Sequence, residues 1–460
     1  MKTLFKIHSY ILLNILATAF LSCDSFLDVD LPKSQLAAAA VFEDYSTADA
    51  ALLNIYSNIR DKGILTGTGQ GISNTMGNYS DELVSSESPT NFSLNFYKNS
   101  LLPSNTTVSG FWNASYNQIY AANSIIEGVE KSQNLTSAQK KQLKGEAYFI
   151  RGLLHFYLTE LFGAIPYVAD TDYKKNSIVS KTEIDAIYKK IISDLEISES
   201  LLPEAYLDQS RTRPNSITVK ALLARIYLYI KSYAEASNNA SAILNRDMYA
   251  LESPEKVFLL ASHETIWQLQ AGTAGKNTAE AAYFTFISVP PPQVSLSPSL
   301  ISSFTAGDQR RSIWIKSVSK NTLIFYHAYK YKENNATSVS REYSIVFRTA
   351  EQYLIRAEAR AFQGDLIGAK EDLNKVRNRA GLDNTPALTQ QEIITAVLDE
   401  RRHELFTEHG HRFFDLKRSG KLDAVLGIVK SGWNTTDNLL PLPQSELLLN
   451  SNLKPQNPGY

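Results

Sequence analysis

Residues 215–246 and 350–380 share one construction, and it limits the fold more than any other feature of the chain. Each reads as helix, turn, helix. In the first, Ala224 and Tyr227 precede a turn at Lys231 and Ser232, and Ala236 follows. In the second, Ala357 and Arg360 precede Gly364 and Asp365, and Ala369 follows. Small residues at matching offsets let two helix backbones approach closely where they cross. One such pair cannot bury its apolar face alone, so pairs stack along the chain. Two further pairs are expected within residues 112–162 and 147–202.

The predicted fold class is therefore mainly α, a tetratricopeptide-like helical repeat scaffold (an α-α superhelix). The repeat is degenerate: Arg360 stands where an aromatic is usual, and no proline ends the unit. Other segments keep the 3.6-residue period. Phe42, Ala48, Leu52, Ile55, Tyr56 and Ile59 predict a helix over 41–60, and Trp112, Tyr116, Ile119, Tyr120, Ile126 and Val129 one over 110–131. Helices are also predicted over 137–162, stopped by Gly163, and over 182–202.

Residues 248–345 break this pattern. Residues 264–270 alternate like a strand, the prolines of 288–295 exclude a helix, and 313–316 and 323–331 read as short strands. An irregular, loop-rich subdomain with short strands is thus predicted as an insertion, with helical repeats within 112–246 and 346–382. A second irregular stretch, 61–107, opens on Gly63, Gly67, Gly69 and Gly71, read here as a flexible start without phosphate-loop spacing. Its scattered aromatics argue for a functional loop, not a disordered one.

The net charge of −1 offers nothing to a nucleic acid. A single cysteine, Cys23, excludes an intrachain disulfide. Cys23 follows Lys2, Lys6 and an apolar run over 11–21 that is too short to span a bilayer. Residues 1–22 resemble a bacterial lipoprotein signal peptide, although Phe20 and Leu21 stand where a leucine and a small residue are usual. The resemblance implies cleavage before Cys23, lipidation of its thiol, and a tether over 23–40. No motif supports an enzyme. There is no G-x-S-x-G elbow. His403, His409 and His411 lack the spacing of a zinc helix. No pair of carboxylates stands out for glycoside hydrolysis. The prediction is no catalytic residue, no metal and no cofactor.

The most charged stretch is 399–420. Its apolar residues recur at helical spacing, and its charges are assigned to ion pairs that hold the fold. The order Glu400, Arg401, Arg402, Glu404, Leu405, Glu408, Gly410, Arg412, Asp415, Leu416, Arg418 resembles the C-terminal signature of the SusD/RagB family. Further matches are Phe26–Leu27–Asp28 after the anchor, the Glu146–Arg151 helix, the 162–166 turn, the 373–382 run and the Asn457-Pro458-Gly459-Tyr460 end. On that resemblance, 41–460 is one SusD/RagB-like domain, with its signature over 399–460.

The resemblance implies a surface lipoprotein that captures an oligosaccharide and delivers it to a SusC-like TonB-dependent transporter. It would be held in the outer membrane through Cys23 and face the cell exterior. Ligand contacts are expected from loops within 66–107 and 272–335. Candidates for stacking are Tyr79, Phe92, Phe96, Tyr97, Trp314 and Tyr329; Asn78, Asp81 and Arg341 are candidates for hydrogen bonding. Trp112 and Trp267 are assigned to the core. A repeat-based scaffold for a partner protein, and capture of peptides in place of glycans, remain alternatives.

Overall fold

The computed structural model describes residues 40–88 and 91–460; the signal segment, Cys23 and the tether as far as residue 39 lie outside the described residues. Helix α1 (Tyr45–Asp61) starts where the Asp44 carboxylate accepts the N–H groups of Ser46 and Thr47, and it buries Ala48, Leu52, Ile55, Tyr56 and Ile59. The stretch expected as long irregular loop contains regular structure: α2 (Ile72–Tyr79), β1 (Leu83–Ser85) and α3 (Ser93–Tyr97). No apolar stripe marks α2, because it is buried on every side, with its asparagine amides hydrogen-bonded to each other and to neighbouring residues. Asn78 Nδ2 donates to Asn74 Oδ1 at 2.8 Å, and Asn74 Nδ2 donates to Gly69 O at 2.6 Å and Ser93 Oγ at 2.7 Å.

Helices α4 (Thr106–Lys131) and α5 (Ser137–Phe162) form an antiparallel hairpin, with a Thr136–Gln139 capping box starting α5. Helix α6 (Ile184–Leu201) lies along α5, tied to it by a buried Arg151–Asp194 pair at 2.5 Å. Next come α7 (Ser216–Tyr229) and α8 (Tyr233–Leu244).

The inserted segment opens with β2 (Thr265–Leu269) and continues through α9 (Ala279–Phe284), β3 (Val294–Leu296), α10 (Pro298–Ser303) and α11 (Gln309–Ile313). The hairpin of β4 (Ile315–Lys320) and β5 (Leu323–Ala328) follows, and β6 (Ser344–Arg348) closes the segment. Three small antiparallel sheets organise it. β2 pairs with β6 and so closes the two ends of the insertion. β3 pairs with β1, and β4 with β5 from Ile315 opposite Ala328 to Lys320 opposite Leu323. Val257, Phe258, Phe284, Leu300, Trp314 and Tyr331 form an apolar cluster here, joined by Leu83 and Phe406 from outside the segment.

The second repeat is α12 (Thr349–Phe362) and α13 (Leu366–Arg379). Ala224, Ala236 and Ala240 of the first repeat pack with Ile355 and Ala359 of the second, so the small residues lie where the two units meet. The molecule is mainly α, with tetratricopeptide-like pairs, as the periodicity predicts. Trp112 and Trp267 are core residues.

The charged signature spans α14 (Gln390–Leu405) and α15 (His411–Arg418), followed by α16 (Leu422–Val429). Gly410 does not stop α14, which ends at Leu405. It stands in left-handed conformation (φ 73°) as the residue that begins α15, after Thr407 and His409, which also have positive φ. That turn aims Glu408 at the insertion, where it accepts from Lys330 and Arg348. Fully buried Glu404 accepts from Arg310 at 2.9 Å, Arg348 at 2.5 Å and Arg379. Asp415 accepts from Arg401 at 2.7 Å. The signature therefore works as an ionic junction between the second repeat, the insertion and the C-terminal helices.

Candidate functional site

The two irregular segments meet at a cleft of about 400 Å³. Arg60 and Asp61 at the end of α1, Gly67 and Thr68, Gly272, residues 276–280 and residues 333–336 line it. Arg60 is held in place by two hydrogen bonds to the Asp61 carboxylate, at 2.7 and 2.6 Å, which hold that carboxyl below its usual value. Asn277 pins the opposite wall. Its Nδ2 donates to Asn335 O at 3.1 Å and Thr337 Oγ1 at 3.0 Å, and its Oδ1 accepts from the N–H of Arg341 at 2.8 Å. Glu280, buried, lies at the base. Its Oε1 accepts from the Ser344 hydroxyl, and its Oε2 has no partner among the described residues. Burial pushes the Glu280 carboxyl up, against the hydrogen bond from Ser344.

Two glycines explain how the segments come so close. A Cβ at Gly67 would fall 2.0 Å from Glu280 Oε2, and one at Gly69 would fall 2.2 Å from Tyr283 Cε2 and 2.8 Å from Phe92 Cζ. The glycine run is thus a packing surface, not the flexible start expected from it. It seats Phe92, 36% exposed, and partly exposed Tyr283 against one backbone position, next to the cleft residue Thr68. The Tyr283 hydroxyl lies 3.3 Å from Ser93 Oγ. A wider depression of about 790 Å³ runs beside α14, but its lining includes no Phe, Tyr or Trp.

Of the residues expected to meet ligand, Phe92 packs on Gly69, one residue along the chain from the cleft residue Thr68, and is not itself part of the cleft lining. Arg341 is exposed beside the cleft and pairs with Glu333 at 2.8 Å. Five others are corrected to structural positions. Asn78, Tyr79 and Phe96 are fully buried; Tyr79 packs on Phe96 and Phe413. Asp81, also buried, accepts from Arg402 and Arg412 at 2.7 Å. Trp314 is fully buried, with its indole N–H on Pro254 O at 2.7 Å. The three aromatics are buried because the irregular segments need large side chains to fill their core, and Asn78 and Asp81 are buried because Asn74, and Arg402 with Arg412, pair with their polar groups. Tyr97 is partly buried beneath Lys430, whose Nζ lies 4.0 Å from its ring centroid and donates to Tyr97 O and Asn78 O. Tyr329 is partly exposed on the β5 side of the insertion, with Lys316 Nζ 3.9 Å from its ring.

Sequence reasoning missed Arg60, Asn277, Glu280 and Tyr283. The available signal was the alternation of Gly67 and Gly69, which marks close approach by another segment. The sequence did not say which one.

Comparison with known proteins adds two family models. The first, SusD-like and described as starch-binding, associating with outer membrane, matches residues 25–228; that of the SusD family matches residues 302–460. SusD-like protein P2 of Formosa agariphila is 28% identical, over 77% of this chain and 81% of that protein. SusD-like protein P25 of the same organism is 24% identical over 97% of each. Among solved structures, a SusD superfamily protein from Bacteroides vulgatus superposes with a TM-score of 0.78 at 21% identity, over 91% of this chain and all of that one. A laminarin-binding SusD-like protein superposes with a TM-score of 0.75 at 22% identity, over 90% of this chain and 99% of that one.

Proposed function

Since the chain belongs to the SusD family, whose members are binding proteins and not enzymes, we propose that it captures a neutral oligosaccharide in the cleft lined by Arg60, Asn277 and Glu280, near Phe92 and Tyr283. The observation that carries this reading is the combination of polar groups lining the cleft with two partly exposed aromatic rings packed on Gly69, the residue after the cleft residue Thr68. Sugar rings have apolar C–H faces that stack on such rings, and hydroxyls that pair with amides, carboxyls and guanidinium groups. The laminarin bound by one structural neighbour supports a glycan as the ligand class.

The finer reading is that the glycan passes to a SusC-like TonB-dependent transporter, with the chain anchored through lipid on Cys23 and facing the cell exterior. The outer-membrane association in the family description supports the location. The test is isothermal titration of the chain beginning at Asp24 against neutral oligosaccharides and peptides. Saturable binding of one glycan is expected, weakened about twofold to tenfold by Phe92→Ala or Tyr283→Ala, the range for loss of one stacked ring. Binding of peptides alone, or of neither class, would overturn the reading in favour of peptide capture or a partner-protein scaffold. Co-purification of a transporter barrel with the intact lipoprotein tests delivery.

A further inference from the structure

A second polar groove, of about 460 Å³, lies between α1 and α4. Six of its ten polar lining residues are primary amides, Asn54, Asn58, Gln70, Asn113, Asn117 and Gln118, and two more are the hydroxyl residues Thr106 and Thr107. Asp61 and Lys62 are its only charged residues, and both stand at the α1 end of the groove. The side-chain amides of Asn54, Gln70, Asn113 and Asn117 make no hydrogen bond to any described residue, and all four residues are exposed. The α4 wall is otherwise low. Gly110 has nothing within 4 Å of where a Cβ would stand, Ala114 and Ala121 add small side chains, and Thr106, Thr107 and buried Phe111 complete that wall. Asn113, Asn117 and Tyr120 follow at helical spacing on one face, and Tyr120 is 51% exposed. Asp61 lines this groove and the cleft alike.

Because Asp61 lines both, we propose that the groove between α1 and α4 is an extension subsite for a neutral polysaccharide chain held in the cleft. The proposal rests on the glycan reading of that cleft. Unpaired amides each offer a planar donor and acceptor to adjacent hydroxyls, and they do so without a charge that would select an anionic polymer. The low wall leaves room for a sugar chain, and Tyr120 supplies a stacking face further along the same helix. A short oligosaccharide fills the cleft alone, whereas a longer one passes Asp61 and gains the groove.

The experiment compares tetrasaccharides with long chains of the same β-1,3- and α-1,4-glucans, titrated into the protein beginning at Asp24. The protein as it stands should bind the long chain of its glucan about tenfold more tightly than the tetrasaccharide, the scale of one or two added hydrogen bonds. Asn113→Ala/Asn117→Ala should abolish that gain and leave the tetrasaccharide affinity unchanged. Both substitutions are on the surface, so folding is preserved. A double variant that keeps the gain, or an unsubstituted protein without one, overturns the groove while the cleft reading stands. Failure of every glucan at both lengths overturns both.

Discussion

Glu404→Gln tests the ionic junction at its centre. Five cations, Arg310, Lys330, Arg348, Arg377 and Arg379, meet five carboxylates there, Glu264, Asp308, Glu400, Glu404 and Glu408. Formal charge balances in the cluster. Glutamine preserves the volume of Glu404 but removes one negative charge, so a net positive charge is left where water cannot reach it. Breaking a buried pair in this way costs about 3–5 kcal/mol. An exposed pair such as Lys98 with Glu87 contributes about 0–1 kcal/mol. With a urea dependence of about 3 kcal/mol per molar, the unfolding midpoint should fall by about 1 M or more. The assay is urea unfolding followed by tryptophan fluorescence and circular dichroism at pH 7, with Glu87→Gln as control. A shift no larger than the control's would refute the claim that this cluster holds the fold. The pH dependence has a definite sign. Burial pushes the Glu404 carboxyl up, but Arg379, Arg348 and Arg310 outweigh burial and hold it well below the ordinary glutamate value of 4.5. Its contribution is therefore present above pH 4.5 and lost as pH falls through the depressed folded value. The gap between the protein and the variant should narrow in acid.

Glu82 behaves in the opposite sense: burial first, and the Asp81 charge second, raise its carboxyl to about 8. Its folded-state stabilisation is full below pH 4.5 and is lost as pH rises through about 8, so Glu82→Gln should match the unsubstituted protein at pH 5 and exceed it at pH 8.5 by on the order of 4 kcal/mol. Urea midpoints at the two pH values check this, and a constant difference between them would contradict it. Trp314→Ala should lower stability by about 3–5 kcal/mol, because the fully buried indole packs on Phe258 and lies beside Lys330 and Arg379. Glycan affinity of the folded variant, measured by titration, should be unchanged; a selective loss of affinity at unchanged stability would return Trp314 to the binding site.

Local pattern alone sufficed for the long amphipathic helices and for the role of the charged signature. An amphipathic stripe reports one buried face, and the 3.6-residue recurrence of Leu52, Ile55 and Ile59 or of Ile187, Ile191 and Leu195 is present in the chain itself. So are Ala224, Ala236, Ala357 and Ala369, whose small size has meaning only if helices cross there. Glu400, Glu404 and Arg412 could be assigned to structure because charges interleaved with an apolar stripe must pair when the helix is buried. What the sequence could not supply was exposure in the irregular segments. Tyr79, Phe96 and Trp314 resemble Phe92 and Tyr283 as letters; three fill cores and two stay partly exposed on Gly69. Core in a segment without periodicity is defined by which distant strand or glycine lies opposite, as Leu83 meets the insertion and Gly69 receives Tyr283. The same holds for α2, whose Asn74 and Asn78 look like loop residues until Gly69 and Ser93 are brought beside them. Periodicity is a property of neighbours in sequence, whereas a binding surface is a property of neighbours in space, and only the tertiary structure decides the second.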